Sequence, residues 1–152
     1  MQEKSDPPKP QGETLQFMQR LWGLTHALEV RSKRMARTIG VTGPQRLVIR
    51  LIGQTPGLPA RDIAQTLGIH PSTLTGILAR LEKQGLIRRE VDGADRRRAQ
   101  FELTAGGKRI DRERKGTVEA AVRRALTRVE PTVIANTTEL LELLVVELDR
   151  PE

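Results

Sequence analysis

The sequence predicts a mainly α chain with one small β-hairpin, an α+β fold built as a single domain of 152 residues. Three observations carry this. Apolar residues recur three, four and seven apart along most of the chain, the spacing of one helix face. The period switches to two only between Ile87 and Leu103, around an Asp92-Gly93 step, which is a hairpin signal. Just before that switch, two short helical stretches meet at Gly68, the residue best suited to the left-handed turn that ends a helix.

The elements follow in order. Residues 1–12 hold Pro7, Pro8, Pro10 and Gly12 and almost nothing apolar, and read as a disordered arm. A helix begins at Thr14, with Leu15, Met18, Leu21, Trp22, Thr25 and Leu28 on one face, and runs to about Thr38 before Gly40. Thr42 is the expected N-cap of a second helix, with Pro44 just inside it and Leu47, Val48, Leu51 and Ile52 as its apolar face. Gly53 to Pro59 reads as a loop. Ala60 to Leu67 is a short helix with Ile63, Ala64 and Leu67 inward. His70 caps the next helix, Pro71 opens it and Gly85 ends it, and Leu74, Ile77, Leu78 and Leu81 form its buried stripe. The hairpin pairs Ile87, Arg89 and Val91 with Ala99, Phe101 and Leu103. Thr104 then caps what reads as one long helix to about Val129, roughly 39 Å at about 1.5 Å per residue. Glu130-Pro131 breaks it and starts a last helix rich in Leu and Val.

Composition removes several classes of function. There is no cysteine, so thiol catalysis, thiol redox sensing, disulfides and Cys-ligated zinc are out. With only His26 and His70, no metal site is expected, and no other cofactor motif is present. Aromatics are limited to Trp22, Phe17 and Phe101, too few for binding modes that stack bases on rings. The most apolar run, Leu140 to Leu148, carries Glu142 and Glu147 and falls short of the roughly 20 residues of a membrane span. The first residues lack the apolar core of a signal peptide. The expectation is a cytoplasmic protein with no membrane partner. No nucleophile elbow, P-loop or dinucleotide-binding glycine pattern is present, so it does not read as an enzyme.

Charge is unevenly placed. The chain carries a net +7, but residues 130–152 sum to −5 and residues 1–129 to +12. A basic body favours a polyanionic partner.

The two short helices and the hairpin after them make a winged helix-turn-helix. The exposed face of the second helix carries Ser72, Thr73, Thr75, Gly76, Ala79, Arg80 and Lys83, with no carboxylate before Glu82. Those are the side chains that a helix lying in the major groove of double-stranded DNA presents to bases and phosphates. The helix N-terminus itself favours phosphate. The hairpin tip holds Asp95, Arg96, Arg97 and Arg98, and its arginines suit the narrow, negative minor groove alongside.

These residues resemble the MarR (multiple antibiotic resistance regulator) family of bacterial transcription factors. The matching runs are Leu67-Gly68-Ile69, Pro71-Ser72-Thr73-Leu74-Thr75, Leu81-Glu82-Lys83-Gln84-Gly85-Leu86-Ile87, Asp95-Arg96-Arg97 and Leu103-Thr104-Ala105-Gly106-Gly107. The motif-bearing match spans about residues 44–107. The resemblance implies a winged helix-turn-helix DNA-binding lobe at 44–103 and a dimerisation lobe made of helices from 14–40 and 104–150, within one domain at 13–152. It implies a homodimer reading a pseudo-palindromic operator, usually as a repressor, often released by a small-molecule effector. It also implies that Asp95 orients Arg97 toward the minor groove. Two positions depart from the family pattern. Gly76 stands where relatives often carry a long side chain, and His70 where a Ser or Asp cap is usual. Trp22 and His26, four apart on the first helix, are candidate ligand-pocket residues. A sequence-neutral architectural DNA binder is the alternative, because the readout face is short. A winged module that binds a protein partner is a further one.

Overall fold

The computed structural model describes residues 12–91, 93 and 99–151. The expected N-terminal arm at residues 1–11, and the expected DNA contacts Asp95, Arg96, Arg97 and Arg98, lie outside these residues.

Among the described residues seven helices and three strands follow in order: α1 (Glu13–Thr38), α2 (Gly43–Gln54), β1 (Leu58–Pro59), α3 (Ala60–Leu67), α4 (Pro71–Lys83), β2 (Ile87–Val91), β3 (Ala99–Leu103), α5 (Ala105–Arg112), α6 (Val118–Leu126) and α7 (Pro131–Leu148). The fold is therefore mainly α with a small antiparallel sheet, as expected from the sequence. The start of α2 is a full capping box. The Thr42 hydroxyl accepts from the Gln45 amide, and the Gln45 side chain accepts from the Thr42 amide. Gly68 takes φ +62 at the end of α3, and the amides of Gly68 and Ile69 return to the carbonyls of Gln65 and Ala64.

The sheet has three strands in the order β1-β3-β2, where the sequence predicts two. β1 pairs Leu58 with Phe101 on the edge of β3. It is only two residues long and holds Pro59, which lacks an amide donor, so an edge is where it fits and no alternation announces it. The wing register is Ile87 to Leu103, Arg89 to Phe101 and Val91 to Ala99. Ala99, Phe101 and Leu103 all point inward, but on β2 only Ile87 is buried. The wing runs out past the core, so the period-two pattern of β2 has nothing to pack on beyond its first residue.

One core fills the space between α2, α3, α4 and the sheet. Val48, Ile49, Ile52, Ile63, Leu74, Leu78, Leu81, Ile87, Phe101 and Leu103 belong to it. On α2 the buried stripe is turned slightly from the predicted one. Ile49 is buried and Leu47 is exposed, because α2 packs on α5 and β3 with its 45/48/49/52 face.

The predicted single helix from Thr104 to Val129 is two helices. Gly116 adopts φ +75, and Thr117 caps α6 by accepting the Ala120 amide. α5 has already ended at Glu113, and the Gly116-Thr117 step turns the chain and starts α6. The spacing from Ile110 to Val118 carries the apolar pattern across that break and hides it.

Outside this core, α1, α6 and α7 leave most of their large apolar side chains in solvent, although Met35 of α1 is buried. Trp22 is 62% exposed and Leu148 is 78% exposed, and no residue of α6 or α7 is buried. Among the described residues, no helix is long and apolar enough to cross a membrane.

Candidate nucleic-acid interface

The helix-turn-helix is held by the apolar side of both helices. Ile63 and Ala64 of α3 meet Leu74 and Leu78 of α4 in the core. The small Ala64 lets the helices approach, as the sequence suggests. With Leu74, Leu78 and Leu81 facing in, Ser72, Thr73, Thr75, Gly76, Ala79, Arg80 and Lys83 all face solvent. Four of the predicted contact positions, Ser72, Thr73, Gly76 and Arg80, are spaced to line one side of the helix.

The N-terminus of α4 is capped by His70. Its Nδ1 accepts the Ser72 amide at 3.1 Å and lies 2.7 Å from the Ser72 hydroxyl. The Thr75 hydroxyl donates to the Pro71 carbonyl at 2.9 Å. Two of the hydroxyls predicted to face DNA are thus already engaged within the helix start. A β-carbon on Gly76 would meet nothing within 4 Å, so no protein packing requires glycine there.

The base of the wing is built on glycine. The Thr104 amide donates to the Leu86 carbonyl at 3.1 Å, its hydroxyl donates to the Gly85 carbonyl at 2.6 Å, and its side-chain oxygen accepts the Gly107 amide at 3.1 Å. Along the strands Arg88 pairs with Glu102 at 2.9 Å and Glu90 at 3.4 Å. The Glu102 hydrogen bond, and then the charges of Glu102 and Glu90, raise the Arg88 pKa above the usual arginine value. Arg88 lies on the flank of the wing. Asp95, Arg96, Arg97 and Arg98, the predicted minor-groove contacts, lie outside the described residues.

Trp22 and His26 share a face of α1, and both are exposed. They do not line the cleft of about 920 Å³ that opens between the helix-turn-helix and the end of α7, which Ala64, Ile69, His70, Leu74, Val145 and Leu148 help to form. Among the described residues, no three His, Asp or Glu side chains come together as a metal site would need.

Sequence reasoning did not find Arg46. Its guanidinium is buried (1% exposed) and joins α2 to the junction of α5 and α6. Nothing within a few residues of position 46 distinguishes it from a solvated helix arginine, because its partners are 64 to 73 residues away.

Helix, turn, recognition helix and hairpin on one small core define a winged helix-turn-helix protein. Residues 39–98 match the model of the MarR family. The transcriptional regulator HosA of Escherichia coli O157:H7 is 41% identical over 70 residues, 46% of this chain and 52% of that protein. The chain thus spans about half the length of the curated relatives it matches. The MepR–DNA complex of S. aureus shares the fold at a TM-score of 0.71 and 20% identity, over 88% of this chain and 98% of that one. PcaV from Streptomyces coelicolor, in complex with its natural ligand, shares it at 0.70 and 23%, over 85% and 91%. Residues 39–98 are thus similar to the MarR family, and the curated relatives matched over this part of the chain are named as transcriptional regulators.

Proposed function

We propose that the chain is a sequence-specific double-stranded DNA-binding regulator, a cytoplasmic homodimer that represses from a pseudo-palindromic operator and is released by a small ligand. The observation that carries this is the exposed face of α4. Seven small, polar or basic positions face solvent there, on a helix fixed from behind by Leu74, Leu78 and Leu81. A helix of that kind fits the major groove, and its N-terminus favours a phosphate. The DNA complex of MepR supports this use of the fold.

Dimerisation is supported by α1, α6 and α7. Leu140, Leu141, Leu143, Val145, Val146 and Leu148 are exposed around α7, and a helix apolar on most sides needs covering. In this reading residues 14–40 and 104–150 supply the dimerisation helices, and 44–103 the DNA-binding lobe. Release by a ligand is supported by the ligand complex of PcaV and by the cleft between α4 and the end of α7.

One observation favours sequence-neutral binding instead. The Ser72 and Thr75 hydroxyls are engaged inside the protein, and Gly76 offers no side chain. Selection of duplexes from a random pool, with affinity titrated against salt, separates the two. An enriched palindrome with half-sites about one helical turn apart, bound roughly 10³-fold over a scrambled control, supports the operator reading. Binding without enrichment supports the neutral one, and no binding at low salt removes both.

A further inference from the structure

We infer that Arg46, with Glu119 and the Arg50–Asp111 pair beside it, is a positioning device that fixes the angle between the winged module and α6. Through that angle it sets which operator spacing two recognition helices tolerate. The second clause rests on the DNA-binding reading above, and the first does not.

The geometry is specific. From α2, the Arg46 guanidinium forks onto both carboxylate oxygens of Glu119, with Nε 3.1 Å from Oε2 and Nη2 2.7 Å from Oε1. The same guanidinium donates to the carbonyls of Ile110 and Glu113, and to that of Asp111 at 3.4 Å. These carbonyls lie at and just past the end of α5, and that of Ile110 also accepts the Glu113 amide at 3.1 Å. One side chain therefore ties the end of α5 to the first turn of α6, where a carboxylate also suits the helix dipole.

Arg50 lies one turn along α2. Its Nη1 is 2.6 Å from Asp111 Oδ1 and its Nε is 3.7 Å from Glu119 Oε1. Gly53, nearly another turn on, leaves the room: a β-carbon there would stand 2.7 Å from Asp111 Oδ2. Two cations and two carboxylates so form one closed set between α2, α5 and α6.

Beside this network, the Val118 side chain of α6 reaches the start of α2, where a β-carbon on Gly43 would stand 3.5 Å from its Cγ2. The Val118 amide points at Met35 Sδ, 3.3 Å away on α1, and the five residues between α5 and α6 include Gly116 in the left-handed region. Apolar side chains would glue such a joint at lower desolvation cost than a buried ion network. What bidentate, directional bonds add is a single allowed orientation.

The absence of cysteine gives a direct test. Nitroxide labels at Thr66→Cys on α3 and Arg124→Cys on α6, in chains diluted with unlabelled protein, report the angle within one chain by pulsed electron resonance. Glu119→Gln and Arg50→Gln, separately and together, should broaden a narrow distance distribution far below the unfolding temperature. Arg46→Lys, which keeps the charge but loses the fork, should broaden it too. On duplexes whose half-sites are moved apart by one to three base pairs, the same variants should reduce the penalty for wrong spacing by about fivefold, with affinity at the best spacing nearly kept. A distribution as narrow as wild type in the folded Arg50→Gln/Glu119→Gln protein overturns the inference, whatever Arg46→Met does to folding. A wild type indifferent to spacing overturns the operator clause alone, and the label distances still judge the joint.

Discussion

The Leu86 carbonyl occupies the place that a β-carbon on Gly107 would need. The third residue of α5 thus lies directly on the backbone at the base of the wing, and the same β-carbon would stand 3.3 Å from Leu103 Cβ. Thr104 locks the same corner through Leu86, Gly85 and Gly107. The Leu-Thr-Ala-Gly-Gly run at residues 103–107, which points to the family in the sequence, is therefore a packing device with a physical reason for its last glycine.

It follows that Gly107→Ala should destabilise the fold by about 1–3 kcal/mol or more, since backbone rather than a flexible side chain is in the way. Gly106→Ala is the control. Its nearest neighbour would be 3.5 Å off, an ordinary contact, and alanine favours the helix. Chemical denaturation of the two variants should separate them clearly. Equal stability would mean that α5 shifts freely off the wing.

Local signals made most of this legible. Caps act within four residues, so Thr42, His70 and Thr104 each announce a helix start, and Gly68 announces a stop, before any tertiary contact is known. The buried stripe of α4 reads directly from Leu74, Leu78 and Leu81. What stayed hidden depends on distant partners. β1 exists only because Phe101, over 40 residues later, offers an edge. Arg46 is defined by Glu119, 73 residues on. The stripes of α1 and α7 say that a face wants covering, but not by what. At the break after α5 the signal was present in Gly116-Thr117 and was outweighed by apolar spacing carried across it.

His70 gives a second prediction. Removing its cap in His70→Ala should cost about 1 kcal/mol of stability. His70→Asp should recover that loss, because aspartate caps well and suits the helix dipole. If the end of α4 holds a DNA phosphate, the same aspartate should weaken duplex binding by repulsion. Thermal melts and DNA titrations on both variants check the two halves independently. Full affinity in His70→Asp would move the phosphate away from this helix end.

Gly76 separates folding from binding. Nothing surrounds its missing β-carbon, so Gly76→Ala should stabilise the protein by about 1 kcal/mol through helix propensity alone. Should the glycine be there for close approach to DNA, the same alanine lowers affinity while raising the melting temperature. A variant that gains stability and binds DNA as well as wild type shows that the glycine is simply a missing contact.

Arg80 and Thr73 test how the recognition face divides its work. Both are exposed on α4, but only the arginine carries charge to a phosphate. Arg80→Ala should weaken binding alike on the selected site and on scrambled DNA, and lower the salt slope by about 0.9 for one lost phosphate contact. Thr73→Ala should leave the slope unchanged and cost about 1–3 kcal/mol on the selected site only, if its side chain reads a base edge. Because Thr75 donates its hydroxyl proton to Pro71 and the Ser72 hydroxyl lies 2.7 Å from His70 Nδ1, Thr73 is the hydroxyl proposed to donate to a base edge. Measured as salt titrations on two duplexes, loss of equal size on both for Thr73→Ala would assign it to the backbone and favour sequence-neutral binding.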